Sequence, residues 1–65
     1  MNGKVKRTVV DRGFGFITGE DKTEYFFHFS AVRAGDFKLM KPGDSVTFEP
    51  SQGQKGPRAE NIRLL

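Results

Sequence analysis

Arg12-Gly13-Phe14-Gly15-Phe16-Ile17-Thr18 and, after a short polar turn, Glu24-Tyr25-Phe26-Phe27-His28-Phe29-Ser30 form the stretch that decides how this chain folds. Five of the seven phenylalanines lie between Arg12 and Ser30, in a chain without tryptophan. In an extended strand, side chains two apart share a face. Phe14, Phe16 and Thr18 therefore share one face of the first run, and Gly15 and Ile17 the other. In the second run Phe26 and His28 share a face, while Tyr25, Phe27 and Phe29 begin on the opposite one. Both faces of this ribbon are aromatic, and only one can be a core. Rings exposed at alternate positions are costly in water unless something stacks on them. Nucleobases suit, because each has a flat face and base–aromatic stacking contributes about 1–3 kcal/mol per base.

Working outward from this ribbon, Gly3 to Val10 reads as a first strand in which Val5, Arg7 and Val9 fall on one side. A charge between two core valines is unfavourable, so a bulge near Arg7 is expected, turning it outward. Asp11-Arg12-Gly13 is a tight connection, and Gly15 lets a ring or backbone from another layer approach closely. Gly19–Thr23 is a polar turn, and Ser30-Ala31-Val32 reads as one helical turn capped by Ser30. Arg33 to Lys41 is a connection too short and aperiodic for a proper helix. Ser45–Glu49 is a fourth strand ended by Pro50, Ser51–Gly56 a flexible hairpin loop, and Ala59–Leu64 a fifth strand. Five short strands without a long helix predict an all-β fold, closed into a five-stranded antiparallel barrel because an open sheet this small leaves one apolar face wet. The expected core is Val5, Val9, Ile17, Tyr25, Phe27, Val32, Met40, Val46, Phe48, Ile62 and Leu64.

Sixty-five residues correspond to one small domain. With no cysteine and a single histidine there is no disulfide framework and no zinc constellation, so neither metal nor cofactor is expected. No nucleophile–base pair or carboxylate pair is apparent, which argues against an enzyme. No signal peptide or membrane-spanning stretch is visible, and a cytoplasmic protein is expected. Eleven Lys and Arg against eight Asp and Glu give a net charge of +3. Basic residues crowd both ends, and acids gather at Glu20, Asp21 and Glu24, so paired terminal strands would create one basic side.

Taken together, Lys4-Val5-Lys6, Arg12-Gly13-Phe14-Gly15-Phe16-Ile17 and Phe26-Phe27-His28-Phe29-Ser30-Ala31 resemble the bacterial cold-shock proteins. Pro42-Gly43, Val46-Thr47-Phe48 and Lys55-Gly56-Pro57 extend the resemblance over essentially the whole chain. It implies a Greek-key barrel of the OB type that binds single-stranded RNA or DNA on its second and third strands and acts as an RNA chaperone. The binding set it implies is Lys6, Phe14, Phe16, Phe26, His28, Phe29, Phe37, Lys38 and Arg58, with Arg12 at the leading basic position. Two departures matter. Arg7-Thr8 stands where the family usually carries Trp-Phe, and Phe27 stands where it has a small aliphatic residue.

Read as chemistry, Lys6, Arg7, Arg12, Lys38, Lys55 and Arg58 suit phosphate contacts or guanidinium stacking planes. His28 lacks a catalytic partner and suits stacking or hydrogen bonding to a base or phosphate. Phe37, alone in a polar connection, is assigned to binding over plugging the barrel end. The competing reading is a protein-interaction module that buries the aromatic face against a partner or a second copy. A monomer is expected, with a weak homodimer as the alternative.

Overall fold

The first strand decides the geometry of the barrel by miscounting against the second. The computed structural model describes residues 1–33 and 35–65. In it β1 (Asn2–Val9) and β2 (Phe14–Gly19) pair antiparallel, with Val5 opposite Ile17 but Arg7 opposite Phe16. The one extra residue, Lys6, is the expected bulge. Because side chains alternate with a period of two, one inserted residue inverts every position beyond it. Arg7 turns outward as expected, but Val9 goes with it. Val9, expected in the core, is half-buried opposite Phe14 on the outer face.

The remaining elements are β3 (Glu24–His28), a 3₁₀ turn (Phe29–Ala31), one helical turn α1 (Asp36–Leu39), β4 (Ser45–Gly53) and β5 (Gly56–Leu64). The strands close in the order β1-β2-β3-β5-β4, with β1 returning to β4 through Asn2↔Thr47, Gly3↔Val46 and Lys4↔Ser45. This is the expected five-stranded barrel, but not all of its contacts are antiparallel: β3 and β5 run parallel where they meet at Phe26↔Arg58, and Val32 makes a further parallel bridge to Ile62. The first and last strands flank β4 rather than each other, so the expected pairing of the basic termini does not occur.

Several boundaries shift for local reasons. The 3₁₀ turn is capped by His28, whose Nδ1 accepts the Ser30 N–H at 3.3 Å, so Ser30 lies inside the turn instead of capping it. The expected connection over Arg33–Lys41 includes Ala34, which lies outside the described residues, and it contains α1. Pro50 does not end β4. β1 pairs with β4 only as far as Thr47, so Pro50 sits where one edge of β4 is unpaired and the missing N–H costs nothing. The expected flexible loop is a tight hairpin in which Gly53 pairs with Gly56, leaving Gln54-Lys55 as its tip. Asn61 adopts a φ of 49°, a left-handed conformation that asparagine tolerates, at the extra β5 residue between Glu60 and Arg63. Its amide donates to Glu49 Oε2 at 2.9 Å.

The core holds nine of the expected residues together with Phe37 and Ala59. Leu64, expected inside, is half-buried against it. Ile17, Phe27, Val46, Phe48 and Ile62 are its largest fully enclosed side chains. Gly15 explains how a phenylalanine fits at position 27. A Cβ there would stand 2.6 Å from Phe27 Cζ and 2.7 Å from the Arg7 carbonyl oxygen. The Phe27 ring therefore occupies the space that a side chain at position 15 would need.

Candidate nucleic-acid interface

With Ile17, Tyr25 and Phe27 committed to the interior, Phe14, Phe16, Phe26 and His28 necessarily project from the outer face of β2 and β3. They are half-buried. The strand registers arrange this face in rows across the barrel. One row runs Arg7–Phe16–Phe26–Arg58 over β1, β2, β3 and β5. The next runs Val9–Phe14–His28. The three phenylalanine ring centroids stand 5.7–6.0 Å apart. Phe14 and Phe16 meet edge-on at 87°, and Phe14 tilts only 34° from Phe26.

The flanking arginines hold to the rings by cation–π contact. Arg7 Cζ lies 5.2 Å from the Phe16 centroid, and Arg58 Cζ lies 5.7 Å from that of Phe26. Such contacts contribute about 0.5–1 kcal/mol at exposed sites. Arg7, standing where the resemblance expects tryptophan, thus lies flush with the aromatic row. Lys6 Nζ is 2.7 Å from Glu24 Oε2, in an ion pair with both side chains about half exposed. Exposed pairs of this kind are weak, so a phosphate can exchange for Glu24.

At the far end His28 and Phe29 stack with centroids 4.5 Å apart. Nδ1 of His28 meets Ser30 Oγ at 2.9 Å as well as the Ser30 N–H, and these contacts orient the ring. Phe29 leaves the strand alternation at the 3₁₀ turn and is 51 % exposed, not on the core face where alternation puts it. Phe37 is only 9 % exposed and packs edge-on against Phe27 at 6.1 Å. Its expected binding face is therefore not available. α1 turns it inward to close the barrel end. Arg12, Lys38 and Lys55 are exposed in the connections and form no ion pair among the described residues. Lys55 joins Gln54, Gly56, Pro57 and Arg58 in a groove beside Phe16 and Phe26. Sequence reasoning missed Gln54, Gly56 and Pro57 as part of the site, because only the β3–β5 register brings the hairpin against Phe26.

The family model of the 'Cold-shock' DNA-binding domain matches residues 1–65. The chain belongs to the cold-shock domain family. Cold-shock domain proteins are generally nucleic-acid-binding and non-enzymatic. Among similar proteins, Cold shock protein 2 of Lactiplantibacillus plantarum is 50 % identical over 62 residues, 95 % of this chain and 94 % of the relative. Cold shock-like protein CspB of Bacillus cereus is 42 % identical over the full length of both chains. The major cold shock protein of Streptococcus pyogenes serotype M1 is 43 % identical over 97 % of this chain and 94 % of its own. Among the described residues no helix of this cold-shock domain is long and apolar enough to cross a membrane, and no group of His, Asp and Glu is arranged to hold a metal ion.

Proposed function

We propose that this protein binds single-stranded nucleic acid by stacking successive bases on Phe14, Phe16, Phe26 and the His28–Phe29 pair. Lys6, Arg7, Arg12, Lys38, Lys55 and Arg58 serve as a basic rim for the phosphates. The observation that carries this reading is the Arg7–Phe16–Phe26–Arg58 row, a partly exposed aromatic strip bounded by guanidinium groups on a sheet whose other face is already a full core. Flat faces select unpaired bases, because in a duplex the base faces are occupied by their own neighbours. A protein that binds only unpaired strands shifts hairpins towards the open form by mass action, which is RNA-chaperone activity without turnover.

Titration of matched single-stranded and duplex oligonucleotides, with size-exclusion mass measured in parallel, tests this. The expected result is a monomer that binds oligothymidine and oligouridine well and the duplexes poorly. Equal affinity for duplex, or self-association through the aromatic face with no oligonucleotide binding, would overturn it.

A further inference from the structure

The platform is not uniform along its length, and the difference lies at its β5 end. There the Phe16 and Phe26 rings face the β4–β5 hairpin across a groove of about 560 Å³. That is room for a bicyclic base. Arg58 and Lys55 contribute N–H donors, Gln54 an amide that can donate or accept, and no acidic side chain lines the groove. Elsewhere on the face Lys6 has its Glu24 partner, the sole ion pair among the described residues.

Arg58 is also held in place. Its aliphatic stem crosses Gly53, where a Cβ would stand 2.8 Å from the Arg58 Cγ. The guanidinium lies over the Phe26 ring with Cζ 5.7 Å from its centroid, and its Nε is buried without a hydrogen-bond partner. With Nε enclosed, a ligand acceptor can be met only by the terminal guanidinium nitrogens. The fixed stem orients a planar fork of N–H groups beside a stacking surface.

A donor-only fork distinguishes the bases. Guanine presents two adjacent acceptors, O6 and N7, and arginine on that edge is the commonest specific base contact. Adenine places its N6 amino group beside N7, donor against donor. Thymine and uracil flank each carbonyl with the N3–H. Cytosine has adjacent O2 and N3 acceptors when unpaired, but its single ring covers less of the Phe26 face. Deepening the single-strand reading on which it rests, we propose that this groove is a guanine-reading subsite. The base stacks on Phe26 with the Phe16 ring edge-on beside it, at 69° to Phe26, and its O6 and N7 accept hydrogen bonds from the terminal nitrogens of Arg58.

The test uses short oligothymidines with one dG placed at each position in turn, titrated against the intact chain. At one position dG is expected to tighten binding about 5- to 150-fold over dT, the range of a good bidentate contact. Deoxyinosine, which keeps O6 and N7, should retain the gain. The 7-deaza analogue of dG, which lacks N7, should lose most of it. Arg58→Met keeps an unbranched stem but no N–H donor, so it should bring the dG-to-dT ratio close to one. Binding to all oligonucleotides with no position preferring dG removes the subsite and leaves the platform standing. A dC gain equal to that of dG, or a 7-deaza analogue as good as dG, also overturns the subsite. Failure to bind any single strand removes the platform and the subsite together.

Discussion

Phe26 and Phe27 are adjacent in the chain and have the same side chain, yet they sit in opposite environments. Phe27 is fully enclosed, with its ring over Gly15 and its edge against Phe37. Phe26 is half-buried among Phe14, Phe16 and the Arg58 guanidinium. The same contrast separates Ile17 from Phe16. Residue type therefore says little about role on this ribbon, and face says nearly everything. The inner face stabilises the barrel by excluding water from closely packed apolar groups. The outer face carries rings whose remaining exposure suits a ligand. The two faces should respond differently to the same substitution.

The largest expected effect breaks the inner face. Phe48→Ala removes a nearly fully enclosed ring and should cost about 3–5 kcal/mol. For a domain of this size that is most or all of the stability, so thermal unfolding followed by circular dichroism should show a large drop in melting temperature or no folded state.

Next comes the outer face. Phe16→Ala should weaken oligothymidine binding by about 1–3 kcal/mol, read by fluorescence anisotropy of a labelled strand. Its melting temperature should stay close to that of the parent. A smaller effect sharpens the edge of the platform. Arg7→Trp should tighten oligothymidine binding by about 1 kcal/mol, because a ring offers more flat apolar area than a hydrated guanidinium. It should also flatten the salt dependence, because each phosphate neutralised on a single strand steepens the slope by about 0.7 and tryptophan neutralises none. Isothermal titration at two salt concentrations checks both. No gain would place the end of the platform at Phe16.

The smallest expected effect lies in the turn that joins the two strands. The Tyr25 hydroxyl donates to Asp21 Oδ2 at 2.8 Å, and the Thr23 N–H donates to Oδ1 at 3.0 Å. These bonds, Tyr25 first, lower the Asp21 pKa from its ordinary 3.8. The Asp21 bond in turn raises the Tyr25 pKa above 10.0. A depressed carboxylate stabilises the fold above its unfolded pKa, and that contribution fades as pH falls below 3.8 towards the folded value. The raised tyrosine contributes below its unfolded pKa and loses that contribution as pH rises above 10.0 through the folded value. Asp21→Ala should therefore lower stability slightly at neutral pH and shallow the acid branch, in melting temperatures measured from pH 7 downward. An unchanged acid branch would show that the bond is not maintained in solution.

Much of the barrel was legible because alternation leaves little freedom once Ile17, Tyr25 and Phe27 are placed on one side. The clash of Arg7 with its flanking valines announced the bulge. Its consequence for Val9 was missed, since one inserted residue must invert the whole remainder of β1. Phe37 was misread because a lone ring in a polar connection carries no periodicity, and only the packing of α1 against Phe27 shows where it points. Lys55 and Arg58 were legible as basic residues of the site, but the groove that the hairpin makes with Phe26 was not. Their place beside Phe26 depends on a parallel contact between distant strands, and no local pattern specifies that register.

The most direct test measures Phe26→Ala and Phe27→Ala side by side, each for melting temperature and for oligothymidine affinity. With the two faces divided as described, Phe26→Ala loses about 1–3 kcal/mol of binding and melts near the parent. Phe27→Ala loses about 3–5 kcal/mol of stability, and whatever fraction folds keeps its affinity. If Phe26→Ala unfolds the chain, or Phe27→Ala leaves stability intact while binding falls, the division of the ribbon into core and platform is wrong.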